Sequence, residues 1–193
     1  MIMGRLVEAV IFQMESAEII NKDDEEIYRF GLECFFLKVI HYLSYLFISL
    51  ILHMTIPVMV SAVVLVPLRS RAGGYHANTR FGCYLFSCSM VFLLCFLNNI
   101  MFSVQWFWGI GVINNVVIGC FSPVENDNRT LEQSEQRVFK GQALLLLGVI
   151  DILIIFVAVI NLEISKWLLN GLLITAILIV LGRLKNLVCI QGS

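Results

Sequence analysis

The sequence predicts an all-α, polytopic integral membrane protein with about six transmembrane helices and an N-terminal amphipathic helix. Of its 193 residues, 59% are hydrophobic and only 14% are charged, whereas roughly 25% charged residues is usual in soluble domains. The mean hydropathy is +0.88, and long apolar segments recur along the chain. A net charge of −1 provides no basic surface for nucleic acid, so we expect no nucleic-acid partner.

The first 20 residues have the pattern of an amphipathic helix. Apolar residues recur there at spacings of three and four, at Met3, Leu6, Val7, Val10, Met14 and Ala17. Such a helix can lie in the membrane interface, or it can pack against the protein's own bundle. Asn21 or Asp23 is placed to cap a second helix that enters the membrane.

Six apolar segments follow, at residues 35–52, 54–68, 82–102, 104–121, 143–161 and 165–183. A membrane-spanning helix needs about 20 apolar residues, with a range of roughly 17–25. The second segment is short and contains Pro57, and the fourth contains Asn114 and Asn115. Four spans with re-entrant pieces are therefore an alternative to six.

We interpret residues 1–193 as a single membrane domain. It comprises N-terminal amphipathic or cytoplasmic helices (1–33), a transmembrane bundle (34–185) and a tail (186–193).

The distribution of basic residues predicts the orientation of the bundle. If the N-terminus is cytoplasmic, six spans place the loops 69–80 and 122–142 and the C-terminal tail on the cytoplasmic side. All 13 basic residues except Lys166 then face the cytoplasm, in agreement with the positive-inside rule. We therefore expect a multi-pass membrane protein with the lipid bilayer as its surroundings.

The cysteines do not form a disulfide or zinc pattern. The six positions are Cys34, Cys83, Cys88, Cys95, Cys120 and Cys189. No CxxC pair occurs, and most of these residues lie in apolar segments. We expect reduced thiols, no metal site and no cofactor.

Residues 69–83 are the polar, glycine-bearing segment between two apolar blocks, and they contain His76 and Cys83 seven residues apart. The Gly73-Gly74 pair permits a sharp turn. Asn78 or Thr79 is placed to cap the next helix, with Cys83 in or just after its first turn. Helix N-termini and nearby cations favour the thiolate, which is the nucleophilic form of cysteine.

Geometry limits the interpretation of this pair. On one straight helix, residues seven apart stand about 10 Å from each other along the axis, whereas proton transfer needs a contact of ~3 Å. His76 must therefore lie in a loop that folds back toward Cys83, or the two residues do not act together. A cysteine in an apolar helix is often only a small buried hydrophobic residue, so both interpretations stay open at this point.

The 69–83 segment resembles the signature of the accessory gene regulator protein B (AgrB-like) family. The matching residues are Arg69, Gly73-Gly74, His76-Ala77 and Cys83. Residues 28–33 (Tyr-Arg-Phe-Gly-Leu-Glu) and 122–129 (Ser-Pro-Val-Glu-Asn-Asp-Asn-Arg) are similar to two further elements of the family pattern. These elements occur in the family's order over nearly the whole chain.

The resemblance implies a membrane cysteine endopeptidase of Gram-positive quorum sensing. Such enzymes cleave a small autoinducer precursor peptide on the cytoplasmic side and leave a cyclic peptide, usually a thiolactone and in some relatives a lactone formed with a serine. Carried over by residue, Cys83 is the nucleophile and His76 is its base. Arg69 and Gly74 support activity, and we add Gly73 and Arg71 of the same segment. The resemblance also favours a homodimer, with the precursor signalling peptide as partner.

Four further polar residues are candidates for substrate binding. Glu33 closes the 28–33 element, and Arg137 and Lys140 belong to the 122–142 loop, whose charges can orient a charged peptide; that loop can also be a solvated connector. Asp151 lies near the middle of an apolar segment, where an acid is costly and faces the bundle interior. It can contact the peptide, pair with a cation such as Arg71, or hydrogen-bond an asparagine of another helix.

Two other functions compete with the endopeptidase. A small multi-pass transporter or exporter without proteolytic chemistry would explain six spans and the intramembrane Asp151. However, 193 residues leave little room for the paired inverted repeats of many transporters. The third alternative is a structural membrane subunit without chemistry.

Overall fold

The computed structural model describes residues 2–100, 103–125 and 132–191. Within these ranges the chain forms seven α-helices and a short 3-10 helix, Lys22–Asp24, and no β-strand. The α-helices are α1 (Ile2–Ser16), α2 (Glu25–Ile51), α3 (Thr55–Ala72), α4 (Arg80–Asn99), α5 (Val104–Phe121), α6 (Gln133–Ile160) and α7 (Leu162–Gln191). The prediction of an all-α polytopic membrane protein is confirmed.

Each predicted apolar segment corresponds to one helix, apart from residues 101–102, which lie outside the described residues. Five helices, α2, α3, α4, α6 and α7, are long and apolar enough to cross a membrane, and Trp106–Phe121 of α5 forms a shorter apolar helix. Some boundaries differ from the prediction. Helix α4 ends at Asn99 rather than at residue 102, α6 begins at Gln133 rather than at 143, and α7 continues to Gln191 through most of the predicted tail. Polar helix ends extend beyond the apolar stretch because helix formation does not require apolar residues.

Residue contacts divide the chain into two compact units, Met1–Phe47 and Ile48–Ser193. In the first unit, α1 packs on the beginning of α2, with Val7 and Ile11 buried and Leu32 and Phe36 packed against them. The amphipathic helix is confirmed, and its apolar face packs on α2 within this unit. Leu6 of the predicted apolar stripe is 51% exposed, so the packed face is turned slightly from the predicted one.

Helix α7 is the central helix of the second unit. In its most apolar stretch 61% of the residues are buried, against 22% or less in the other candidate spans. Close approach to α3 requires a glycine, because a Cβ on Gly171 would overlap the main-chain carbonyl of Ser61. The apolar core around this contact includes Val64, Leu68, Ile118, Leu172 and Ile179.

A polar network joins α3, α4 and α7 inside the bundle. The hydroxyl of Ser61 donates to the main-chain oxygen of Trp167 at 2.7 Å and accepts from Asn98 Nδ2 at 3.2 Å. Asn170 Nδ2 donates to Asn98 Oδ1 at 2.8 Å. Such bonds between helices are strengthened by the low dielectric of the interior, so the network orders the three helices relative to one another.

The ends of α3 and α5 meet the C-terminal part of α7 at one end of this unit. Val124, just after α5, donates its N–H to the oxygen of Ala72 at 2.9 Å, and Arg183 of α7 donates to the oxygen of Phe121 at 3.1 Å. Because α4 and α5 connect these two points and α4 reaches Ser61 at its far end, both helices traverse the bundle. This arrangement argues against re-entrant pieces at α4 and α5, while five of the described helices, α5 not among them, reach the length and apolarity of a span.

Candidate active site

The loop of residues 73–79 is the turn predicted from the Gly73-Gly74 pair. Gly73 has φ +74° and Gly74 has φ +144°, conformations that residues with a Cβ rarely adopt. Gly73 also forms a single parallel β-bridge with Val124, and a Cβ at Gly73 would overlap the Val124 oxygen. The pair is therefore required both for the turn and for close contact with the segment after α5.

Helix α7 supports the other side of the 73–79 loop. The Tyr75 N–H donates to the main-chain oxygen of Leu178 at 2.9 Å. A Cβ on Gly182 would stand 2.9 Å from the carbonyl carbon of Gly74 and 3.0 Å from the Tyr75 nitrogen. The backbones of loop and helix thus touch where only a glycine fits.

Three side-chain donors on α7 reach main-chain oxygens of the 73–79 loop and of residues 121–125 at the end of α5. They are Lys185 Nζ to His76 at 2.9 Å, Arg183 Nε to Phe121 at 3.1 Å and Asn186 Nδ2 to Glu125 at 2.9 Å. The C-terminal part of α7 therefore holds both the 73–79 loop and residues 121–125 in place.

Sequence reasoning missed this role of α7. Gly182 and Asn186 were not singled out, and Arg183 and Lys185 served only as indicators of topology. The group of side-chain donors directly after the last apolar segment was the available signal. It does not reveal which carbonyls those donors reach.

Cys83 lies in the first turn of α4. The Thr79 hydroxyl accepts the Gly82 N–H at 3.0 Å, and the Cys83 N–H donates to the Thr79 oxygen at 2.9 Å. Of the two predicted caps, Thr79 is thus the one that begins the helix. The thiol of Cys83 is free, as are those of Cys34, Cys88, Cys95 and Cys120, and Cys83 is half-buried.

His76 is half-buried in the 73–79 loop. Burial lowers the pKa of its imidazole, and the positive charges of Arg69 and Lys185 lower it further. A lowered pKa keeps the ring neutral near pH 7, the form that can accept a proton. Among the described residues, no hydrogen bond joins this ring to the Cys83 thiol. Catalytic contacts often tighten only when substrate binds.

The two arginines at the end of α3 have different partners. Arg69 Nη2 donates to the main-chain oxygen of Tyr75 at 3.4 Å, within the 73–79 loop. Arg71 instead donates to Gln142 Oε1 on α6 at 2.8 Å, and its guanidinium lies 6.0 Å from the centre of the Phe139 ring. Arg69 therefore contacts the loop that carries His76, whereas Arg71 ties α3 to α6.

Asp151 forms the predicted bond between helices. Its Oδ1 accepts from Asn115 Nδ2 at 3.0 Å, which joins α6 to α5. Pairing with Arg71 is not observed, because that side chain is bonded to Gln142. Asp151 also borders a cavity of about 350 Å³ whose other lining residues are mainly apolar and include Phe107 and Trp108.

The remaining predicted substrate-binding residues lie on helices. Arg137 and Lys140 are exposed on the first turns of α6, so much of the predicted 122–142 loop is helical. Gln136 of α6 donates to Glu125, which connects the segment after α5 to that helix. Residues 126–131, with the predicted loop charges Asp127 and Arg129, lie outside the described residues. Glu33 is half-buried on α2, in the N-terminal unit.

Comparison with curated proteins and with solved structures gives no match. The family model described as Accessory gene regulator B matches residues 7–179. That range covers most of the chain and includes His76 and Cys83, whereas Gly182 and Lys185 of α7 lie beyond it. The chain therefore belongs to the accessory gene regulator B family.

Proposed function

We propose that this protein is a membrane cysteine endopeptidase that cleaves a small autoinducer precursor peptide and releases a cyclic peptide. Membership of the accessory gene regulator B family supports a role in quorum-sensing peptide processing. The observation that carries the specific chemistry is the arrangement of the 73–79 loop. It holds a half-buried imidazole with a lowered pKa immediately before a capped helix whose first turn contains a free thiol.

In the first step, the Cys83 sulfur attacks the carbonyl carbon of the scissile peptide bond while His76 takes the thiol proton. The carbon–nitrogen bond then breaks, and His76 returns that proton to the leaving amine. The N-terminal part of the precursor stays on Cys83 as a thioester. Main-chain N–H groups at the start of α4, other than those of Gly82 and Cys83 that bond to Thr79, are the natural donors to the oxyanion.

In the second step, a cysteine thiol within the bound peptide attacks the Cys83 thioester. The new thioester closes the peptide ring, Cys83 leaves as a thiolate, and the proton of the attacking thiol passes through His76 to Cys83. Exchange between thioesters is nearly thermoneutral, so a site that excludes water favours ring closure over hydrolysis.

A cleft of about 540 Å³ lies beside the 73–79 loop, with Tyr75, Thr79, Leu181 and Lys185 among its lining residues. Its volume falls within the range of roughly 300–1,000 Å³ that is typical of ligand sites. We assign this cleft to the peptide segment next to the scissile bond. Glu33, Arg137 and Lys140 stay predictions as further substrate contacts, whereas the bond from Asn115 favours a helix-packing role for Asp151 over its predicted contact with the peptide.

We place the enzyme in the bacterial cell membrane with this site facing the cytoplasm, and we expect it to act as a homodimer. The loops 69–80 and 122–142 carry the basic residues on which this orientation rests.

Cleavage of a purified precursor peptide by the protein in detergent or proteoliposomes tests the proposal. Cys83→Ala and Cys83→Ser should abolish cleavage with normal membrane insertion, and His76→Ala should lower the rate by about 10²–10⁴-fold. Cys88→Ala, on the same helix, is the matched control and should retain activity. Substantial cleavage by Cys83→Ala would refute the mechanism.

A further inference from the structure

We propose that Lys185, near the C-terminal end of α7, is a positioning residue that holds His76 in place for its role as general base. The inference rests on the proposed function and adds a residue that neither the sequence signature nor the family pattern includes. It identifies the last helix of the chain as part of the catalytic apparatus.

The contact itself is direct. Lys185 Nζ donates to the main-chain oxygen of His76 at 2.9 Å, across 109 positions of sequence. The same ammonium lies 6.0 Å from the centre of the Tyr75 ring, a distance at which cation–π attraction is effective. Lys185 thus contacts two consecutive residues of the 73–79 loop.

The surroundings leave little freedom at this contact. One turn before Lys185, Gly182 touches the backbone of Gly74 and Tyr75, and Leu178 accepts the Tyr75 N–H. Helix α7 therefore meets the 73–79 loop at successive turns. The Lys185 ammonium reaches the His76 carbonyl from a helix whose backbone is held against that loop. A charge-assisted hydrogen bond of this kind is stronger than a neutral one.

The charge of Lys185 has a second consequence for His76. Packed elements bring positive charge to the imidazole from two sides, Arg69 from α3 and Lys185 from α7, while the first turn of α4 follows the loop with Arg80 and Cys83. Removing a cation from this set relieves the repulsion of a protonated ring. The pKa of His76 should therefore rise when Lys185 is neutralised.

Titration of His76 by NMR tests the inference without relying on turnover. The protein contains three histidines, so ring-labelled protein in micelles gives three imidazole signals, and His76 is assigned by its loss in His76→Asn. Lys185→Met should move the His76 midpoint upward by roughly 0.5 pH unit. Lys185→Arg, which keeps the charge, should restore the wild-type midpoint. His41 and His53 are internal controls.

The pH dependence of precursor cleavage is the second measurement. The acidic limb of the pH–rate profile should move to higher pH in Lys185→Met, because cleavage requires a neutral His76. In Lys185→Arg it should return to its wild-type position. Lys166→Met removes a positive charge from the opposite end of α7. It should change neither the NMR titration of His76 nor the pH dependence of cleavage. If Lys185→Met does not insert, Lys185→Gln serves in its place.

The outcomes are distinct. An unchanged His76 midpoint, or a rate that falls equally at every pH without a shift of the acidic limb, would overturn the inference. If the wild-type protein cleaves no precursor while the His76 midpoint still shifts in Lys185→Met, the proposed function fails and Lys185 stays a positioning residue of His76.

Discussion

Gly182 of α7 lies against the backbone of Gly74, so that a Cβ on Gly182 would stand only 2.9 Å from the Gly74 carbonyl carbon. Contacts this short between a side-chain carbon and main-chain atoms do not occur without displacement. The position of the 73–79 loop therefore depends on a glycine more than 100 positions further along the chain.

Gly182→Ala should displace the 73–79 loop from α7 and lower precursor cleavage by between about 10- and 100-fold, because small displacements of catalytic groups are costly. Cleavage rate and thermal unfolding in detergent measure the effect. Gly148→Ala on α6 is the matched control, since nothing lies within 4 Å of its added Cβ, and it should be neutral or slightly stabilising. Equal activity of the two variants would show that the loop tolerates the displacement.

Asp151→Asn should retain precursor cleavage within about twofold, because an amide oxygen can still accept the bond from Asn115 Nδ2. Asp151→Leu removes the acceptor and should lower stability by roughly 1 kcal/mol, the typical strength of a hydrogen bond between membrane helices. Thermal unfolding and cleavage rates of both variants distinguish a role of Asp151 in helix packing from a role in binding the peptide. A stable but inactive Asp151→Asn protein would indicate instead that the carboxylate charge acts on the peptide.

Ser70→Cys should be shielded from an impermeant thiol reagent in intact cells and should react after permeabilisation, in a background without the native cysteines. Ser70 is exposed at the end of α3, beside the 73–79 loop. Glu163→Cys, exposed just after the turn between α6 and α7, is the control expected to react from outside. The reverse labelling pattern would invert the topology and exclude access to a cytoplasmic precursor.

Simultaneous Arg137→Glu and Lys140→Glu should slow cleavage of the native precursor by roughly tenfold at low salt, because exposed charges mainly affect encounter and specificity. Both side chains are exposed on the first turns of α6. Alkylation of Cys83 by iodoacetamide should be unchanged, since the substitutions do not alter the 73–79 loop. Normal cleavage of the precursor at both low and high salt would show that Arg137 and Lys140 take no part in recognising it.

Local patterns in the sequence were sufficient for the fold class and for the centre of the candidate site. Hydropathy located the apolar helices because the bilayer requires long apolar segments. The Thr79 cap and the Gly73-Gly74 turn were predictable because they depend on the side chains of a few adjacent residues. These features place the imidazole and the thiol at one helix start, whatever surrounds them.

Helix boundaries were harder to predict from composition than the apolar helices themselves. Helix α6 begins at Gln133, before its apolar stretch, because the Glu132–Glu135 capping box starts a helix among polar residues. The sequence analysis described that region as a loop. Hydropathy locates the membrane-embedded part of a helix and not its polar extension.

The partners of the polar residues were decided only by tertiary structure. Sequence left Asp151 with several possible partners, and helix packing selected Asn115 while directing Arg71 to Gln142. The contact of Lys185 with His76 depends on how α7 lies against the end of α3. Hydropathy and short local motifs alone identified the apolar helical segments and the proposed site residues, because those properties depend on neighbouring residues only. The packing of α7 decided what holds those residues in place, because contacts between distant segments depend on shape complementarity along whole helices.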